Sequence, residues 1–372
     1  MIRRTGLLLL AWMLPGLACA EPSPRFPAAS VWHQRIDQAP LHPQSASMIN
    51  MLQSLGGWGA STLNGRMHID FSFHVARATM AAPTFEVVAH KAYDEYYLPD
   101  CEALGARMPV PAGAAFEGES GLACDNTAGD CHLLVVQGTL LYELYAGNLA
   151  DGDDAGTEPE LDGMCLAVWD LARVYPEQGR GEHCTSADAA GFPIAPLLPN
   201  PDGIAAALLQ ADGDLGHAIR FILPNARMAS DAALGGIGGR LYVRPATHAG
   251  SPSGPATSVP YGARLRLRAD FDMGGYNAAA RVVLRTMQRY GIVLADGGTV
   301  ALTFESDRHT ATSWDALGIG SQTFWNGANG SSPVAVTDFE VIDTGARIAE
   351  TWECVRTAIV PGEALLIDGF EG

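Results

Sequence analysis

Lysine is almost missing from this chain: Lys91 is the only one in 372 residues, and every other Lys/Arg position is arginine. Charged residues are scarce at 17%, and acids outnumber bases 41 to 23. A surface carrying a formal charge of −18 repels phosphate backbones, so no nucleic-acid partner is expected. No apolar run beyond the first twenty residues approaches a membrane span. No G-x-S-x-G, P-loop or H-E-x-x-H pattern occurs, so serine-hydrolase, nucleotide and zincin chemistry have no local signature. C-x-x-C pairs are absent too, which removes the commonest zinc and thiol-redox spacings.

What the chain does hold is apolar and turn-rich. Hydrophobic residues make up 48%, which excludes a disordered chain, and 42 glycines with 23 prolines favour short strands joined by many turns. Residues 1–20 read as an export signal: Arg3 and Arg4, an apolar stretch from Leu7 to Leu17, then Ala18-Cys19-Ala20 as a cleavage site. Cleavage there removes two arginines and takes the formal charge to −20. The expected location is secreted or periplasmic. Six cysteines remain (Cys101, Cys124, Cys131, Cys165, Cys184 and Cys354), and an even count in an exported chain predicts up to three disulfides of open connectivity.

Periodicity predicts a mostly β chain, a β-sandwich-like single domain over 21–345 with a few peripheral helices and a C-terminal tail or added strand at 346–372. An α+β arrangement or two smaller β domains are the alternatives. Helices are predicted over 41–55, 203–209 and 278–290, the last capped by Asn277 and stopped by Gly291. Strict alternation predicts strands at 67–75, 217–223, 241–244 and 264–271. Hairpins are predicted at 133–145, turning at Gln137-Gly138, and at 292–304, turning at Asp296-Gly297-Gly298.

The first hairpin yields a chemical expectation. A two-residue loop at Gln137-Gly138 places His132 opposite Glu143, where imidazole and carboxylate touch on one sheet face. That arrangement serves acid–base work or simply steadies the sheet. Asp188, in Thr185-Ser186-Ala187-Asp188-Ala189-Ala190-Gly191, lies among small residues in a long irregular stretch, as site residues often do; an Asx-turn is the plainer reading. His217 falls on an apolar strand face, and His248 follows in a loop. Arg264, Arg266 and Arg268 alternate along one strand, either pairing with acids or lining a groove for an anionic glycan.

No metal or cofactor is expected. His68, Asp70 and His74 share a strand face, but the four-residue step alone spans about 13 Å, which is too far for one ion and reads as a solvent face. Asp151, Asp153, Gly156 and Asp162 match part of a calcium-loop spacing, yet Ala155 stands where a ligand is needed and no helices are expected on either side.

Several of these segments together resemble a widespread family of secreted bacterial and fungal proteins that is functionally uncharacterised. The resemblance is carried by Asp130-Cys131-His132, Leu141-Tyr142-Glu143-Leu144, Thr185 to Gly191, His217 to Phe221 and Arg244 to His248. It extends over the 264–271 strand, the 278 helix with Tyr290-Gly291, and Asp338 to Val341. It implies export and assigns no catalytic residue. Ile367 to Glu371 is similar to a short C-terminal motif on exported proteins of some Gram-negative bacteria.

From the residues, the expected function is an exported glycoside hydrolase acting on an extracellular polysaccharide. Glu143 and Asp188 would be its paired carboxylates, His132 and His217 would tune them, and His248 with the three arginines would bind substrate. A polysaccharide lyase on a uronate glycan, or a non-catalytic glycan-binding or envelope protein, are the alternatives.

Overall fold

The computed structural model describes residues 24–59, 65–124, 130–150, 159–325 and 333–356. The export signal, Asp151, Asp153, Gly156 and the 367–371 motif lie outside these. Among the described residues there are eighteen short strands and four α-helices, a mostly β chain. No described helix is long and apolar enough to cross a membrane.

Three sheets build the body. The central mixed sheet runs His68–Phe73, Ala301–Glu305, Ile219–Leu223, Ile292–Gly297, Arg264–Leu267, Phe339–Val341 across its width. A second sheet orders Val75–Ala78, Leu133–Gln137, Leu140–Tyr145, Cys165–Asp170, and a third orders Arg107–Pro109, Thr84–Ala89, Glu160–Gly163, Asn148–Ala150. Leu134, Val136, Leu141 and Trp169 of the second sheet join the core of the central sheet, while Leu133, Val135, Tyr142 and Leu144 join a second core with Val87 and Leu161. Both faces of the second sheet are therefore dry. That explains the unbroken Leu-Leu-Val-Val run, which a half-exposed strand would interrupt with polar residues.

The helices follow their caps. Ala278–Arg289 buries Val282, Val283 and Met287 beside the Arg264–Leu267 strand, and the Asn277 side chain accepts from the Ala280 N–H as its N-cap. Ser45–Ser54 and Pro201–Leu208 replace the predicted 41–55 and 203–209 helices with shifted ends.

Two predicted hairpins change in ways that matter for the site. In the first, Gln137 pairs with Leu140, so the loop is Gly138-Thr139 and the register shifts by two residues. Gly138 has φ +60°, the left-handed conformation that a II′ turn requires at its first central residue, and only glycine adopts it freely. In the second, Ile292–Gly297 and Ala301–Glu305 do not pair with each other; Ile219–Leu223 lies between them, parallel to the first and antiparallel to the second. All five residues of that inserted strand are buried, as a central strand demands.

Residues 346–356 are stitched in as added strands: Ile348–Ala349 pairs with Leu241–Tyr242, and Val355–Arg356 with Gly181–Glu182. The six cysteines pair as Cys101–Cys165, Cys124–Cys131 and Cys184–Cys354, which fits an oxidising compartment.

Candidate functional site

A cavity of about 640 Å³ opens where the second sheet, the 95–100 loop, the 185–191 turn and the C-terminal segment meet. That volume suits a small-ligand site. Tyr96, Tyr97, Tyr145, Tyr261 and Trp352 supply aromatic surface, while Glu95, Asp100, Asp130 and Asp296 supply carboxylates. Each disulfide fixes a wall. Cys101 follows Asp100, Cys131 follows Asp130, Cys184 precedes Thr185, and Cys354 lies two residues past Trp352. Cross-links at those points hold the lining in place before a ligand arrives, which lowers the entropic cost of binding.

The floor is an ionic network made by the inserted strand. Arg220 is the second residue of Ile219–Leu223, a strand flanked on both sides, so its two neighbouring strands each offer a partner. Its Nη2 donates to Asp296 Oδ2 at 3.2 Å on one side, and its Nη1 to Thr303 Oγ1 at 3.0 Å on the other. The Nε–H donates to Asp188 Oδ2 at 2.5 Å and the Phe73 ring lies against the guanidinium; burial works against the charge, but Asp188 and Asp296 outweigh it and keep Arg220 cationic.

Two carboxylates thus share one cation. Asp188 is fully buried, and its other oxygen accepts from the Ala190 N–H at 3.2 Å, so it closes the 185–191 turn as well as holding the arginine. Gly191 ends that turn at φ +75°, where a Cβ would lie 2.0 Å from Thr247 Oγ1. Asp296 differs: its side chain keeps 19% of its surface exposed, lines the cavity, and accepts from the Gly297 N–H at 2.7 Å. Burial and the charge of Asp188 push its carboxyl up to about 7 against the pull of Arg220, and Asp130 adds to the rise. Burial raises Asp188 as well, against Arg220. Both members of the pair are thus shifted toward holding a proton, and Asp296 is the one that solvent can reach.

His132 does not meet Glu143. The shifted register sets it beside Tyr145, ring centroids 5.4 Å apart, and its acid is Glu117 at 2.6 Å. Its second nitrogen donates to the Ala187 carbonyl at 2.9 Å, so both ring nitrogens face acceptors and the imidazolium is favoured. Burial lowers its pKa, but the Glu117 charge and hydrogen bond win and raise it to about 9. Ser72 links Glu117 to Asp70, at 3.1 Å and 2.7 Å. This chain supports the Ala187 part of the floor without touching the cavity.

Glu143 is sealed. Its Oε1 accepts from the Ile194 and Ala195 N–H groups at 2.8 and 2.9 Å, and its Oε2 from the Trp169 indole at 3.1 Å. With no exposed surface on either Glu143 or Asp188, neither reaches a substrate, and the pairing expected from sequence does not form across a cleft.

His217 is also buried away from the cavity, its Nδ1–H donating to the Ala218 carbonyl at 2.7 Å; burial holds it well below its ordinary value and thus neutral. His248 does line the cavity, anchored by Nδ1–H to the Ala189 carbonyl at 2.7 Å. The three arginines form no groove. Arg264 donates to the carbonyls of Tyr290, Val31 and Gln34, Arg266 pairs with Glu340 at 2.9 Å and binds the carbonyls of Ile36, Asp37 and Ala39, and Arg268 meets Asp270 at 3.0 Å. Arg264 and Arg266 pin the N-terminal arm. His68, Asp70 and His74 are half-buried, not a solvent face, with His74 Nδ1 2.6 Å from Ser306 Oγ. Asp162 is buried and accepts from the Lys91 N–H at 3.0 Å. Among the described residues no group of three or more His, Cys, Asp or Glu side chains is placed to hold a metal ion.

Asp296, Asp130, Asp100 and the cavity tyrosines were not read as site residues from sequence. Asp296 resembled turn material before two glycines. The available signal was Arg220, a guanidinium in an apolar strand that requires a buried carboxylate nearby. No protein-family model, curated protein or solved structure matches the chain, so residue roles rest on this geometry.

Proposed function

We propose that the chain is an exported carbohydrate-active enzyme, a glycoside hydrolase whose site is the tyrosine-walled cavity and whose proton donor is Asp296. One observation carries this: a carboxyl raised to about 7 faces a cavity of about 640 Å³ from its floor. A general acid works best when its pKa lies near the working pH, and glycoside hydrolysis requires such a donor beside the leaving oxygen. Asp130, exposed on the same lining, is the second carboxylate, activating water or attacking the anomeric carbon. Tyrosine faces suit the apolar faces of sugar rings, and Asn225, Ser251 and Thr185 offer polar groups to hydroxyls. In this reading Arg220 and Asp188 position and tune Asp296, and His132 supports the turn they share.

A lyase acting on uronates has less support, because Arg264, Arg266 and Arg268 are committed elsewhere and the cavity is acidic. A non-catalytic glycan-binding module is favoured by one feature, the Tyr97–Tyr145 stack with ring centroids 6.2 Å apart. The test is release of reducing ends from neutral and charged polysaccharides by the oxidised protein, beside Asp296→Asn. Turnover that the variant loses supports the hydrolase. Saturable glycan binding with no turnover by either protein overturns it in favour of the binding module.

A further inference from the structure

The cavity lining has a charge of its own, distinct from the chain average. Over the whole chain, acids exceed bases by less than two to one, 41 to 23. In the cavity four carboxylates, Glu95, Asp100, Asp130 and Asp296, face one arginine, Arg240, and one histidine. Arg240 is occupied at the rim, lying over the Trp352 ring with its guanidinium 4.7 Å from the centroid. Arg220 is behind Asp296 and already shared with Asp188. Glu95 and Asp130 are exposed, and among the described residues neither side chain has an ion-pair or hydrogen-bond partner. Asp100 spends one oxygen on the Thr185 N–H at 2.7 Å and is raised by burial.

Like charges gathered along one concave lining raise one another's energy, and a cationic ligand relieves that. The aromatic walls favour the same charge. The Tyr97 and Tyr145 rings stack at 27°, and ring faces attract ammonium groups as well as sugar C–H edges. The acids alone would be a solvated patch; lining one cavity together with stacked tyrosines, they specify what it admits.

We propose that the substrate is a glycan bearing free amino groups, a polymer of de-N-acetylated hexosamine, with Glu95 receiving an ammonium group and Asp130 left to act at the reacting carbon. This rests on the glycan-hydrolase reading and names its substrate class. A uronate would bring a like charge, and an N-acetylated unit would leave the carboxylates without a cation.

The test is calorimetric binding of four oligosaccharides of equal length to the oxidised full chain: glucosamine, N-acetylglucosamine, glucose and glucuronate oligomers. Oligolysine serves as a charge control, and each is measured at low and high salt. The glucosamine oligomer is expected to bind at least about tenfold tighter than its N-acetylated counterpart, with the margin shrinking as salt rises. Glu95→Gln, a change at an exposed side chain, is expected to cut that margin several-fold. Equal affinity for the neutral or acetylated oligomers, or a margin unmoved by Glu95→Gln, overturns the substrate class and leaves the glycan reading standing. Oligolysine binding as tightly as the amino sugar overturns it too, in favour of a basic peptide. Failure of every oligosaccharide to bind overturns both. Amino-sugar binding without hydrolysis keeps the ligand class and removes the hydrolase.

Discussion

Asp296 and Glu143 are acids with carboxyl groups pushed up to about 7, yet they can do different things. Burial is the main cause in both. Glu143 spends its oxygens on three N–H donors inside the core and fastens the 194–195 backbone to the second sheet. Asp296 shares a guanidinium, keeps a face in the cavity, and has a second carboxylate on the same lining. A raised pKa marks a group that holds its proton; only access to substrate turns that proton into an acid catalyst.

Removing each acid separates the two. Asp296→Asn preserves the side-chain shape, and removal of the proposed general acid is expected to lower turnover by about 10²–10⁴-fold, with little change in the unfolding midpoint. A variant that keeps wild-type turnover places the proton donor elsewhere. Arg220→Leu acts on the shared scaffold: it leaves Asp188 as a buried charge without its cation and costs about 3–5 kcal/mol, read by denaturant unfolding. A cost under about 1 kcal/mol means that the network is not what holds the floor.

The His132–Glu117 pair gives a pH signature. The imidazolium is held to about 9 in the folded chain, against 6.5 in an unfolded one, so its stabilisation is complete below 6.5 and lost as pH rises through 9. Stability is expected to fall by about 2 kcal/mol between pH 7 and 9, and the joint His132→Gln, Glu117→Gln variant to lack that slope. Equal slopes in the two proteins would contradict the ion pair. The smallest effect belongs to Glu143→Gln, whose amide cannot accept from both sides at once. It costs about 1 kcal/mol of stability with turnover unchanged, and a large loss of turnover would return Glu143 to the site.

Local physics was legible in the sequence, and long-range partners were not. The helix at Ala278–Arg289 follows from Asn277, its apolar stripe and Gly291, all within one window. The 133–145 hairpin is present, but its register depends on which residue takes positive φ, and Gly138 at the first loop position moves His132 two residues away from Glu143. Periodicity identifies both strands of 292–304 without showing that a third strand lies between them. That strand order brings Arg220 to both Asp296 and Thr303, so the site emerges only with the topology. The small neighbours that mark Asp188 in the sequence close a tight turn over it and bury it.

The most direct measurement is a carbon NMR titration of side-chain carboxyls with only aspartate labelled, which removes Glu143 from view. The expected result is a resonance with a midpoint near 7 that disappears in Asp296→Asn and shifts when glycan binds. If every resonance titrates near 4, or if the resonance near 7 survives in Asp296→Asn, the cavity floor does not hold the proton on which the proposed catalysis depends.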